Sequence, residues 1–179
     1  AGMPELREAI AEYLSEEFGV GYSPEQEILV TVGSSEAIDL ALRTLICPGD
    51  EILIPVPCYI SYSPITSLGM GVTVPVETEA KEGFKLTVEA LKAKLTPRSK
   101  VLILCYPNNP TGATMTYEEW LPISRFVEEN DLIVIADEIY AELTYEGEPT
   151  SFASLPGMKD RTLLVSGFSK AFAMTGWRV

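Results

Sequence analysis

The sequence contains no histidine, and that absence removes several chemistries. Without an imidazole there is no Ser-His-Asp or Cys-His nucleophile, no His-containing zinc site and no imidazole general base. Proton transfer must fall to Lys, Tyr, Asp, Glu or Cys. Cysteine is sparse: Cys47, Cys58 and Cys105 are odd in number, far apart and in no Cys-x-x-Cys pair. That usage fits small buried side chains in a reducing compartment. No apolar run approaches the ~20 residues of a membrane-spanning helix. No basic-then-apolar leader precedes the first helical pattern, so the expectation is a cytoplasmic protein away from membranes. Positive charge is also scarce, with 13 Lys and Arg against 26 Asp and Glu, a net charge of −13. Such a surplus repels phosphates, which argues against nucleic acid and anionic lipid as partners; beyond that it solvates the surface.

What is present is a core-forming composition, 46% hydrophobic over 179 residues, too apolar for a disordered acidic chain. Leu6, Ile10, Tyr13, Leu14 and Phe18 predict a helix over Pro4 to Phe18, with Gly19 as its stop. Ile28 to Val32 reads as a strand, and Ala37, Ile38, Ala41, Leu42 and Leu45 as the inner face of a helix ended by Pro48-Gly49. Strands follow at Glu51 to Pro55, Val72 to Val76, Lys100 to Cys105, Leu132 to Ala136 and Thr162 to Ser166. Helices are predicted between them at Tyr59 to Leu68, Val88 to Leu95 and Tyr117 to Glu129. Runs such as Val101-Leu102-Ile103-Leu104 are apolar on both faces, as in a sheet covered by helices on both sides. The predicted fold class is α/β, a three-layer αβα arrangement with a mostly parallel sheet. Tyr145 to Asp160 is expected to be an irregular surface excursion.

In such sheets ligands bind outside the carboxyl ends of the strands. Gly33-Ser34-Ser35 opens a helix there, where free N–H groups and the helix dipole suit a phosphate; plain N-capping by a serine is the competing reading. Pro107 to Gly112 is either a proline-rich turn or a place where Asn108 and Asn109 put their amides to use. Asp137 ends a buried strand, either capping backbone or neutralising a buried cation, and Tyr140 lies three residues on. Lys170 follows Gly-Phe-Ser at another strand end, as a solvated amine or an imine-forming one. Arg178, eight residues later and near two helical turns away, is placed to return to the same mouth and grip a phosphate.

Taken together, order and spacing are specific. Pro107-Asn108-Asn109-Pro110-Thr111-Gly112 resembles the Asn-Pro-Thr-Gly segment of the class I/II aminotransferases, the fold-type-I pyridoxal-phosphate enzymes. Asp137-Glu138-Ile139-Tyr140 resembles their Asp-x-x-Tyr segment, and Gly167 through Val179 their lysine signature. The intervals, 28 residues from Asn109 to Asp137 and 33 from Asp137 to Lys170, suit the family, and the resemblance runs from the first helix to the last residue. It implies the family's cofactor-binding large domain, with pyridoxal 5'-phosphate as cofactor. Lys170 would be its covalent anchor and the acid–base group, and Asp137 would bond the pyridine nitrogen. Asn109 and Tyr140 would bond the phenolic oxygen, Tyr59 would stack on one ring face, and Ile139 would lie near the other. Ser34, Ser35 and Arg178, with Ser169 in a lesser role, would hold the phosphate.

The reaction so implied is transamination between an amino acid and a 2-oxo acid, leaning toward N-acetyl-diaminopimelate, with aspartate and aromatic substrates as alternatives. Relatives have a cis peptide at the position of Asn109-Pro110. Two departures accompany the resemblance. Many relatives carry Ser where this chain has Gly167. The family's N-terminal arm and small C-terminal domain, with its substrate-carboxylate arginine, have no counterpart in residues 1–179, so the expectation is a fragment that binds cofactor but turns over poorly. The full-length protein is expected to be a homodimer. Competing readings are a lyase or aminocyclopropane-carboxylate synthase on the same core, the cofactor-sensing half of a transcription regulator, and a purely structural domain.

Overall fold

The computed structural model describes residues Ala1–Val179. Its ordered elements are α1 (Pro4–Phe18), α2 (Ser34–Leu45), β1 (Glu51–Val56), α3 (Tyr62–Leu68), β2 (Val72–Glu77), α4 (Val88–Lys92), β3 (Ser99–Leu104), α5 (Tyr117–Glu129), β4 (Ile133–Asp137) and β5 (Thr162–Val165). The five strands form one sheet in the order β2-β1-β3-β4-β5, every neighbouring pair parallel. The expected α/β architecture is present, and the sheet is parallel throughout.

Alternation along each strand builds the three layers. Leu53, Leu102, Leu104, Val134 and Ala136 point to one face, where they pack with Leu91 of α4 and Trp120, Ile123, Phe126 and Val127 of α5. Ile52, Ile54, Val101, Ile103 and Ile135 point to the other, against Ile38, Ala41 and Leu42 of α2 and Tyr62 of α3. Because both faces are covered, the strands read as unbroken apolar runs rather than alternating ones. α5 starts on a capping box in which Thr116 and Glu119 satisfy each other's backbone N–H.

Three local expectations are corrected. Ile28 to Val32 is not a strand: no ladder forms there, although Val30 N–H donates to the Ala1 carbonyl at 3.1 Å. β-branched residues favour a strand only where another lies beside them. The helix predicted from Tyr59 starts at Tyr62, since residues 57–61 turn away from the end of β1. The excursion after Tyr145 is only partly a surface feature. Phe152, Leu155 and Met158 are buried in the α5-side core, because a short 3-10 turn at Phe152–Ser154 tucks them under the sheet.

Candidate active site

Asp137 is the last residue of β4, and its side chain is buried at the carboxyl end of the sheet. One carboxylate oxygen, Oδ2, accepts a hydrogen bond from the Tyr62 hydroxyl at 2.6 Å. The other, Oδ1, is buried with no hydrogen-bond partner. Burial pushes this carboxyl above the ordinary aspartate range, while the Tyr62 hydroxyl and the nearby Ile139 N–H act against that rise. A buried acceptor left unsatisfied is costly, on the order of 1–3 kcal/mol. A cationic N–H placed against Oδ1 would relieve that cost and hold the carboxylate ionised.

The neighbouring strand ends supply the rest. Asn109, in the turn after β3, donates from Nδ2 to the Tyr140 hydroxyl at 3.4 Å, so the two expected phenolic-oxygen partners are in contact. Asn108 has a different role. Its Oδ1 accepts from the Thr111 backbone N–H and hydroxyl, and its Nδ2 donates to the Pro57 carbonyl at 3.4 Å. Of the two asparagines, one shapes the loop and one faces the site. The Asn109-Pro110 peptide is cis, as are Val56-Pro57 and Tyr106-Pro107. Tyr59 sits edge-on to Tyr62 with ring centroids 5.5 Å apart. Tyr140 is raised above the usual phenol range by burial first, then by the nearby Cys105 and Asp137. Ile139 is buried beside Gly167.

At the start of α2 the N-cap is Gly33, not a serine, and no side chain caps the helix. Ser34 and Ser35 occupy its first two positions, where backbone N–H groups have no intrahelical acceptor. Glu36 turns back to accept from the Val32 N–H. The Arg178 guanidinium packs against Gly33 so closely that a Cβ there would lie 2.6 Å from Nη2. The Arg178 guanidinium therefore lies at the N-terminus of α2, beside its free amides and the residues Ser34 and Ser35, a combination suited to a phosphate dianion. The route by which Arg178 gets there differs from the expected helix. Residues 168–179 form successive turns, with Phe168 N–H bonded to the Val179 carbonyl at 3.1 Å and Arg178 Nη1 donating to the Thr175 carbonyl. Gly167 lies beside the same carbonyl: a Cβ there would be in ordinary contact with the Val179 carbonyl oxygen, at 3.4 Å.

Lys170 lies on this turn, five residues past Val165, which is in register with Asp137. Its side chain is exposed, while Ser169 is buried. Sequence reasoning missed Tyr62. It stands three residues after Tyr59 behind the same strand end, the one signal that could have singled it out. A cavity of about 820 Å³, mostly apolar, lies instead between α1, the Ile28 to Val32 run, α2 and β5. It meets the candidate site only through Gly33, Gly167, Ile139 and the turn at Phe168 to Val179.

The arrangement has counterparts. The family model described as aminotransferase class I and II matches residues 1–179. YugH of Bacillus subtilis (strain 168) is 51% identical over 179 residues, covering 100% of this chain and 46% of its own. The aspartate aminotransferase of Pyrococcus abyssi is 44% identical, with 99% and 46% covered. The crystal structure of an aromatic aminotransferase from Pyrococcus horikoshii OT3 superposes with a TM-score of 0.97 at 45% identity, covering 99% of this chain and 48% of that one. The chain thus spans about half the length of the relatives it matches. It belongs to the class I and II aminotransferase family.

Proposed function

We propose that this chain is the cofactor-holding part of a pyridoxal-phosphate-dependent aminotransferase that moves an amino group between an amino acid and a 2-oxo acid. The observation that carries this reading is Asp137 Oδ1, a buried acceptor with no partner at the carboxyl end of the sheet. It suits a protonated pyridine nitrogen, and the carboxylate beside it would keep that proton in place. Arg178, Ser34, Ser35 and the first amides of α2 would hold the phosphate, with Ser169 in a lesser role. Asn109 and Tyr140 would orient the phenolic oxygen, while Tyr59 and Ile139 would confine the ring.

When bound, pyridoxal phosphate supplies an electron-withdrawing ring that stabilises negative charge at the substrate's Cα. Lys170 Nζ is the amine that would hold the group and that, when free and neutral, would take up and return the substrate's Cα proton. Named relatives act on aspartate, aromatic amino acids and N-acetyl-LL-diaminopimelate, so amino acid and 2-oxo acid is the substrate class proposed. The whole protein is proposed to be a cytoplasmic homodimer, and no helix here is long and apolar enough to cross a membrane.

Titration with pyridoxal phosphate tests the reading. The expected result is a saturable absorbance band near ~400 nm, with pyridoxal lacking its phosphate binding far more weakly. A protein that gives no saturable band, or binds both compounds alike, contradicts it.

A further inference from the structure

The two oxygens of Asp137 are treated differently by the fold. Oδ2 is held at 2.6 Å by the Tyr62 hydroxyl, and Oδ1 is buried and unpartnered. Tyr62 is itself 1% exposed, at the first turn of α3, fixed edge-on against Tyr59 and packed among Ile38, Leu42, Ile54 and Ile103 of the α2-side core. The Cys105 thiol, just past β3, adjoins the same hydroxyl. A phenol so enclosed has one strong acceptor within reach, the carboxylate.

We infer that Tyr62 is a positioning residue: its hydroxyl ties down one oxygen of Asp137 so that the other is presented, ionised, to the cationic nitrogen of the bound cofactor. The inference rests on the function proposed above, and goes beyond it by explaining why Asp137 has an acceptor to offer. Without the hydroxyl, Oδ2 would lose its 2.6 Å bond beside the unpartnered Oδ1, leaving only the nearby Ile139 N–H to favour the carboxylate; the carboxyl would hold its proton more tightly and its rotamer would no longer be fixed. Tyr59, Tyr140, Cys105 and the adjoining buried Glu138 supply no positive charge to replace the lost bond, and Cys58, farther off, supplies none either.

The test uses Tyr62→Phe, which keeps the ring and its packing, and 3-fluorotyrosine placed at position 62, a more acidic phenol of nearly the same shape. The first measurement needs no cofactor. The ¹³C-carboxyl signal of Asp137 in the apo protein, assigned with Asp137→Asn, is followed against pH. It should titrate higher in Tyr62→Phe and lower with fluorotyrosine. The second is pyridoxal phosphate affinity, expected to fall about tenfold or more in Tyr62→Phe, with the loss growing as pH falls. An Asp137 titration that neither variant moves, or a Tyr62→Phe affinity equal to wild type, overturns the inference. Failure of wild-type protein to bind pyridoxal phosphate would instead overturn the proposed function and with it the use of Oδ1. That failure appears as a missing band rather than as an unchanged ratio.

Discussion

Gly33→Ala separates backbone strain from ligand capture at the phosphate corner. Gly33 has φ +77° and ψ 166°, a region nearly closed to residues with a Cβ. Forcing alanine into it costs about 1–3 kcal/mol, offset by ~0.4–1 kcal/mol from the stiffer unfolded chain. The net loss, about 1–2 kcal/mol, lowers Tm by about 2–8 °C in a domain of this size. The new methyl would also lie 2.6 Å from Arg178 Nη2, and because that atom ends a flexible side chain, the guanidinium yields and leaves the helix N-terminus. Losing a charge-assisted contact to phosphate costs about 1.5–3 kcal/mol, so pyridoxal phosphate should bind roughly ten- to a hundredfold more weakly. Calorimetry gives the first quantity and an absorbance titration the second. Arg178→Ala should reproduce the weaker binding with little loss of Tm, and the double variant should bind no worse than Arg178→Ala alone. Wild-type Tm and affinity in Gly33→Ala would refute both the strain and the convergence of Arg178 on this corner.

Two further outcomes follow from a buried carboxyl and from a helix cap. Glu138 is buried, accepts from Ser151 Oγ and the Phe152 N–H, and burial raises its pKa from 4.5 to about 7. The folded state therefore holds this proton more tightly than the unfolded one. Its stabilising effect is complete below about pH 4.5 and fades as pH rises through about 7. Glu138→Gln, neutral throughout, should be more stable relative to wild type at pH 8 than at pH 5, by roughly 2–3 kcal/mol in urea denaturation; a constant difference contradicts this. Thr116→Ala removes the capping box of α5 and should cost about 1 kcal/mol, read as a Tm lower by about 2–4 °C.

The sheet was legible because strands such as Leu132-Ile133-Val134-Ile135 are buried on both faces, and a two-sided apolar run has few other uses. Ile28 to Val32 carried the same signature and misled, since a strand is a property of two neighbouring chains and composition reports only one. Phe152, Leu155 and Met158 were hidden by the Gly, Pro and Glu residues around them, which announce a loop without saying that its far side is buried. At the site, Asp137 and Asn109 stood out as polar residues at the ends of apolar runs. Tyr62 did not, because a tyrosine among apolar neighbours reads as core, and only its hydroxyl's contact with Asp137 gives it another role. The split between Asn108 and Asn109 was equally invisible, as adjacent identical residues differ only in where the turn points them.

The central claim is that Lys170 is the covalent anchor for pyridoxal phosphate. Borohydride reduction of the loaded protein, followed by peptide mass spectrometry, tests it most directly. The account predicts one pyridoxyl-phosphate label, on Lys170, that disappears in Lys170→Ala. A label on another lysine, or labelling that is unchanged in Lys170→Ala, would contradict it.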